Sequence, residues 1–415
     1  MVFSNFTGKR ILILGGGIFQ IPLILKAKSL GLEVVVTDMY PDPPGRKVAD
    51  FFAQVDIKDF EGNLKVAREY VVDAVTSDQT DVGICTVAKV CQEMGLKGIG
   101  YATAQKFTNK YLMKEALIES DIPLPKFSLV ASLDQARKIA KDLEYPLVLK
   151  PPSNQSSRGV HIVHNDSELQ KCYPLTQMAS FDDSVMMEEY IGGTEYTVEG
   201  FVHNSCAYCL AVSDKRHLKN NSCVANRLTY PPEIDERLRE RLEQVNKKII
   251  TILGLPFGIT HAEYKVRDGL PFLIEIAARG GGTFISSDII PAVSGIDVNE
   301  LLLMQLFGVP FEMPHIESNA ANLEFLIFNS GIVKDIRGVK HVKNIPGVKR
   351  LHLDFIVGDR LVEPSDDRSR HGFILVTGKT RKEVLEVSEA VRSSIEIDIE
   401  ETKRENHTLT SNNGR

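Results

Sequence analysis

Strand and helix patterns alternate through the first hundred residues, and this alternation constrains the fold more than any other feature of the chain. Arg10–Leu14 is an apolar run ended by Gly15–Gly17. Gln20–Leu30 has helical spacing and stops at Gly31, and the β-branched run Glu33–Thr37 ends at Asp38. Asp73–Thr76 is a third such run, followed by Ser77–Asp81 and the helical Val82–Met94. Strands that feed helices that feed strands make a parallel sheet covered on both faces. The spacing therefore predicts a Rossmann-like α/β region, with Pro41, Pro43, Pro44 and Gly45 in the loop after its second strand. At ~150 residues per domain, a chain of 415 residues holds roughly three domains.

From Thr103 the pattern changes. Asn109–Ser120 reads as a helix carrying Lys110 and Lys114, and Leu124–Val130 reads as a strand. Ser132 caps a helix that runs through Leu143, with Asp134 in its first turn. Pro146–Lys150 is a short strand stopped by Pro151–Pro152, and the polar loop Ser153–Gly159 leads into strand Val160–Val163. Gly192–Gly193 joins strands Ser184–Glu188 and Glu195–Val202, and His203–Asn204 is a hairpin turn. Arg237–Leu253 is a long amphipathic helix with Gly254 just past its end. Strands His261–Val266 and Pro271–Ile276 flank the turn Arg267–Gly269. Pro314 opens a last region of strands with one late helix, Arg381–Ile395, and residues 401–415 are polar enough to be disordered.

Composition narrows the function. A net charge of -6 argues against a protein that coats nucleic acid. The lack of Trp and an aromatic content of 7% disfavour stacking platforms for single strands. A nucleotide pocket stays open, because a few local cations suffice for one. The sequence shows no signal peptide and no apolar run of the ~20 residues that a membrane span needs, so no membrane partner is expected. Six cysteines, Cys85, Cys91, Cys172, Cys206, Cys209 and Cys223, are too sparse for a disulfide scaffold. Cys206 and Cys209 lie in a strand-like run whose odd spacing points them to opposite faces, as ordinary thiols. The expected location is cytoplasmic.

Two glycine motifs invite a nucleotide reading and fall short of it. A dinucleotide fingerprint beginning at Gly15 would need glycine where Gln20 stands, although Asp38 occupies the place of a ribose-binding acid. A structural turn or small-ligand pocket fits better than NAD. A phosphate loop ending in Gly378-Lys379-Thr380 would need glycine where Phe373 stands, so Thr380 is read as the cap of the following helix.

The middle of the chain carries more chemistry. Lys150 ends a buried strand, which fixes where its ammonium emerges, and a point cation suits a polyphosphate. The loop after it offers backbone N–H groups, three serines and Arg158, and such loops close over phosphates and exclude water. Glu263 and Glu275 lie on strands joined by a short turn, so hairpin pairing can bring their carboxylates together. Glu275 stands in an otherwise apolar run and needs a cation. Arg279 or a magnesium ion could supply it, the latter with hard oxygen ligands from carboxylates, phosphate and water. Gly280–Gly282 lets a ligand approach the backbone closely.

The order Lys110, Lys150, serine-rich loop, Glu188-Glu189-Tyr190-Ile191-Gly192-Gly193-Thr194-Glu195, His261-Ala262-Glu263 and Glu275-Ile276-Ala277-Ala278-Arg279-Gly280-Gly281 resembles the ATP-grasp superfamily. It is most similar to the carboxylate–amine ligase branch, near L-amino acid ligases and carbamoyl-phosphate-synthase-like chains, over roughly residues 8 to 398. The resemblance implies an α/β N-terminal pre-ATP-grasp domain over 1–105. It also implies an ATP-grasp core over 106–313 with a lid near 126–187, and a small α+β C-terminal domain over 314–400. It places Lys110 and Lys150 on ATP phosphates and Ser156, Ser157 and Gly159 in the lid loop. Glu188, Tyr190 and Ile191 become the adenine hinge, the last two through backbone, Glu189 is a further cofactor-binding residue, and Glu195 holds the ribose. Glu263 and Glu275 become ligands of Mg2+ or Mn2+, and Arg279 stabilises a phosphorylated intermediate. His261 is a candidate aid to amine deprotonation. Gly16, Gly17, Arg227, Gly281 and Gly282 are candidates for the substrate side. The family's common asparagine two residues past the second metal glutamate is Ala277 here, which removes one ligand of a second ion.

The implied activity is ATP- and magnesium-dependent ligation of a small carboxylate to an amine through an acyl phosphate, with a homodimer as the common assembly among relatives. The alternatives are other acceptors (ammonia, bicarbonate or formate), a non-catalytic ATP sensor, and an NAD-dependent dehydrogenase, against which Gln20 speaks.

Overall fold

In the computed structural model of the chain, which describes residues 6–342 and 344–401, the early apolar runs form one parallel sheet. The disorder expected of the tail falls on residues 402–415, outside those described. Strands β1 (Arg10–Leu14), β2 (Glu33–Asp38), β3 (Phe51–Gln54) and β4 (Ala74–Thr76) lie in the order β3-β2-β1-β4. Ile11–Leu14 and Val34–Val36 are fully buried, as continuous apolar runs in a parallel sheet should be. β3 and the helix Phe60–Glu69 add to the sequence reading. β3 is a four-residue edge strand, too short for any periodicity to show.

A second sheet is antiparallel, with β5 (Phe127–Val130), β6 (Leu147–Lys150), β7 (His161–Val163) and β8 (Val185–Glu189) in the order β5-β8-β6-β7. Ser132 caps the helix Leu133–Leu143 by accepting from the Gln135 N–H, as its position predicts. A second covering helix, Asp166–Ala179, was not read from the sequence, and it holds Pro174 in its interior.

The third sheet has eight antiparallel strands. They are β9 (Thr194–His203), β10 (Cys206–His217), β11 (Ala225–Tyr230), β12 (Gly258–Arg267), β13 (Leu270–Ala277), β14 (Ala320–Phe325) and, beyond β15 (Gly331–Arg337), β16 (Val348–Leu353) and, after β17 (Arg360–Leu361), β18 (Gly372–Gly378). Their order is β13-β12-β9-β10-β11-β14-β18-β16. The region after Pro314 thus extends the sheet of the middle region by continuous hydrogen bonding. β15, β17 and β19 (Glu396–Glu400) form a small separate sheet.

Alternation gives the large sheet two unlike faces. Tyr196, Val198, Val212, Ala262, Tyr264, Leu273 and Ile276 pack on the helix Glu236–Leu253 through Leu242, Ile249 and Leu253. That helix ends at Gly254 in the left-handed region (φ 76°), where glycine carries no Cβ penalty. The opposite face of the same strands carries Glu195, Glu199, Lys215, His217, His261, Glu263 and Lys265. Among the described residues no single helix is long and apolar enough to cross a membrane.

Candidate active site

A cavity of about 1090 Å³ opens where the three sheets meet. It is lined by Gly17, Lys110, Lys150, Ser156, Ser157, Glu188, Glu189, Tyr190, Ile191, Glu195, His261, Glu263, Glu275, Arg279 and Gly282, so most of the expected site converges. Four expected residues do not line it. Gly16 is a packing glycine, because a Cβ there would meet Pro43 at 2.9 Å. Gly159 (φ +75°) would meet the Ala179 Cβ at 2.6 Å, and Gly281 would meet Ile285 at 2.9 Å. Arg227 stands opposite Arg216 and Glu324 on β10 and β14, whereas its neighbours Ala225 and Leu228 line the cavity. An irregular register at Arg216/His217 gives β11 an extra residue, which turns Arg227 away. Asp38 does not wait for a ribose either. Its carboxylate accepts the N–H groups of Gly16 (2.8 Å) and Tyr40 (2.9 Å) and so caps the glycine turn.

Cross-strand register builds the charged wall. Lys215 and Lys265 both stand opposite Glu195, and Glu263 stands opposite Glu275. Residues directly opposite share a face, with Cβ atoms about 4.5–5.5 Å apart. The Lys215 ammonium sits between Glu195 (2.7 Å) and Glu263 (2.8 Å), and His217 and Lys265 each lie 3.4 Å from Glu195. A bulge between Glu263 and Tyr264 leaves Ile274 unpaired, so Ile274 and Glu275 both face the cavity while Leu273 and Ile276 stay in the core. The ion pair of Glu275 is made by Lys110 and not by Arg279, the protein cation considered for it. Lys110, the first residue of the helix Lys110–Glu115, sits 2.9 Å from it and donates to the Asn154 carbonyl.

Glu188 does not present a free carboxylate to a ligand. It is fully enclosed and bridges Lys114 and Lys150, the latter at 2.7 Å. Burial opposes its charge, but the two lysines hold it below the usual carboxylate range. Burial pushes Lys114 down to about 7, and Lys150 adds to the effect against the pull of Glu188. Removing the shared carboxylate therefore strands two buried ammonium groups. Glu188→Ala is expected to cost about 3–5 kcal/mol of stability, and Lys114→Met clearly less. Urea midpoints of the two variants check this, and the reverse order would contradict it.

His261 stands between two carboxylates on the cavity wall. Burial opposes its charge, but Glu199 (2.9 Å from Nδ1) and Glu263 (3.5 Å from Nε2) push it up to about 9. Arg279 is likewise engaged. Its Nε and Nη2 grip Asp81 in bidentate fashion at 2.7 and 2.6 Å, and its Nη1 donates to the Gly280 carbonyl. The Asp81 N–H in turn donates to the side chain of Gln155 in the polar loop (2.9 Å). That loop is held on its other side by Asp367, which takes the Ser157 hydroxyl at 3.3 Å. Lys215, Lys265, His217, Glu199 and Asp81 escaped the sequence reading. The alternation of charge in His261-Ala262-Glu263-Tyr264-Lys265 was the available signal for some of them.

The residues present suit magnesium. Glu263 and Glu275 offer hard oxygens on one face, and each uses Oε1 for its lysine while Oε2 has no protein partner among the described residues. Ala277 adds no ligand, and no third acidic, His or Cys side chain joins the two in a metal-holding group among the described residues. Two carboxylates with phosphate and water completing the shell is the usual magnesium arrangement.

Comparisons with known proteins agree with this geometry. Residues 143–288 match the ATP-grasp domain family, and residues 324–400 match L-amino acid ligase C-terminal domain 2. A formate-dependent phosphoribosylglycinamide formyltransferase of Sulfurisphaera tokodaii is 24% identical over 412 residues, covering 93% of this chain and 96% of that protein. An alanine–anticapsin ligase of Bacillus subtilis is 27% identical over 275 residues, covering 60% of this chain and 57% of that protein. The crystal structure of an L-amino acid ligase from Bacillus licheniformis superposes with a TM-score of 0.83 at 22% identity, covering 95% of this chain and 99% of that one.

Proposed function

Because the chain belongs to the ATP-grasp superfamily, in its carboxylate–amine ligase branch, and is an ATP-dependent enzyme of C–N bond formation, we propose that it joins a small carboxylate, of an amino acid or a similar metabolite, to an amine through an acyl phosphate. One observation carries this reading. The cavity brings together three lysines, Lys110, Lys150 and Lys215, each lodged on a carboxylate, around a facing pair of glutamates. Such cations can exchange a protein carboxylate for phosphate oxygens without leaving a charge uncompensated.

The chemistry divides into two steps. A carboxylate oxygen of the donor attacks the γ-phosphorus of ATP, and ADP leaves with the electron pair of the broken P–O bond. The amine nitrogen then attacks the acyl carbon, phosphate departs with the electron pair of the broken C–O bond, and the proton shed by the amine passes to that phosphate or to solvent. Positioning and charge neutralisation do most of the work. Lys110 and Lys150 hold phosphate oxygens from the side of the four-stranded antiparallel sheet β5-β8-β6-β7, and Lys215 from the eight-stranded one. The backbone of Tyr190 and Ile191 receives adenine, and Glu195 the ribose. Glu263 and Glu275 would hold a magnesium ion, or manganese in its place, which would supply charge neutralisation for the transferred phosphoryl group. The loop latched by Asp81 and Asp367 keeps water from the acyl phosphate. The same reading places the enzyme in the cytoplasm, where thiols such as the exposed Cys206 stay reduced.

A phosphate-release screen of amino acids, singly and in pairs, with ATP and magnesium tests the proposal. Release stimulated by particular pairs is expected. Release from a single acid only with ammonia or another acceptor, or from no combination, contradicts it.

A further inference from the structure

Among the arginines that line the cavity, Arg279 is engaged and Arg368 is exposed, whereas Arg370 is largely enclosed and yet keeps its carboxylate-binding edge open. Arg370 lies in the loop between β17 and β18, lines the cavity and is 13% exposed. Its guanidinium stacks on Phe325, 3.3 Å from the ring centroid. Nη1 donates to the Ala225 carbonyl (3.2 Å) and to Asp367 (3.1 Å). Among the described residues, no protein acceptor takes Nε or Nη2. These atoms also differ from the Nε atoms of Arg158 and Arg227, which are sealed from solvent without a partner. Asp367 is a shared counter-charge, since it also accepts the Ala225 N–H and the Ser157 hydroxyl. Burial pushes the Arg370 guanidinium down despite Asp367, Asp354 and Asp366, the mark of a cation with less neutralisation than its burial demands.

The open edge has the fork geometry that a carboxylate matches with two hydrogen bonds. Its surroundings are those of a small organic molecule. Phe325 and Phe373 stand opposite each other on β14 and β18, and Leu228 and Ile285 complete an apolar wall. This wall joins the N-terminal domain through Phe284, 5.9 Å from Phe373 and 5.3 Å from Phe19 between ring centroids. The polyphosphate has its own cations in Lys110, Lys150 and Lys215. Arg370 touches β11 and β14, three and four strand spacings, ~14 and ~19 Å measured along the sheet, from Glu263 on β12. That separation leaves room for a second carboxylate at Arg370 beside the one phosphorylated at Glu263 and Glu275.

Resting on the ligase reading above, we propose that Arg370 binds the carboxylate of the amine-bearing substrate, which makes that substrate an amino acid rather than a simple amine. The test compares accepting amino acids with their α-amides in the paired assay, L-alanine with L-alaninamide and L-phenylalanine with L-phenylalaninamide among them. The wild-type enzyme should favour the acid by about 10- to 100-fold in kcat/KM. Arg370→Met should raise the KM for the acid by a similar factor and leave the KM values for the amide and for ATP unchanged. Arg370→Lys keeps the charge beside Asp367 without the fork and should fall between. Equal use of acid and amide by the wild type overturns the proposal. So does a rise in the KM for ATP in place of the acid, or an undiminished acid preference in Arg370→Lys. Absence of release with every pair would instead remove the ligase reading on which the proposal stands.

Discussion

Replacing Lys150 by methionine is expected to lower kcat/KM for ATP by about 10³-fold, on the scale of losing a preorganised charge aimed at a phosphoryl group. The argument starts from where the side chain stands. Lys150 is the last residue of β6, it is 4% exposed, and its ammonium is fixed on Glu188 at 2.7 Å. A cation held this firmly loses little entropy when it meets a phosphate. Methionine fills nearly the same volume, and Glu188 keeps Lys114, so the chain should still fold. ADP formation measured beside far-UV circular dichroism separates the two effects. A folded Lys150→Met enzyme with unchanged turnover would contradict the phosphate role.

The second large effect is expected at Glu275. Glu275→Gln preserves shape and can still accept from Lys110, but it removes half of the carboxylate pair. A fall in kcat of about 10²- to 10³-fold is expected, together with a rise of about 10- to 100-fold in the magnesium concentration that half-activates the enzyme. Chelation of the wild-type enzyme should abolish ADP formation, and magnesium or manganese should restore it. An unchanged magnesium dependence in Glu275→Gln would make Glu275 a counter-ion of Lys110 and nothing more.

Much of this site is legible along the chain because local rules place it. The strand ending at Lys150, the polar loop after it and the turn Arg267–Gly269 that brings Glu263 opposite Glu275 all follow from neighbours in sequence. Other features depend on pairings that no local pattern encodes. Glu188 finds Lys114 across 74 residues, and Arg279 finds Asp81 across 198. These partners place Glu188 as a bridge between two lysines and give Arg279 a bidentate hold on Asp81. Bulges are a second blind spot. The unpaired Ile274 keeps Glu275 on the cavity face, while the irregularity beside His217 turns Arg227 off it. Both residues sit on strands whose alternation the sequence shows, but a single extra residue reverses the face.

The central claim is that a carboxylate is activated by phosphorylation. With a productive pair from the screen and the donor carboxylate labelled with oxygen-18, mass spectrometry of the released phosphate tests this directly. Transfer of one labelled oxygen from the carboxylate to inorganic phosphate per bond formed is the predicted result. Amide product accompanied by unlabelled phosphate would show that the carboxylate is activated by another route, and would contradict the account.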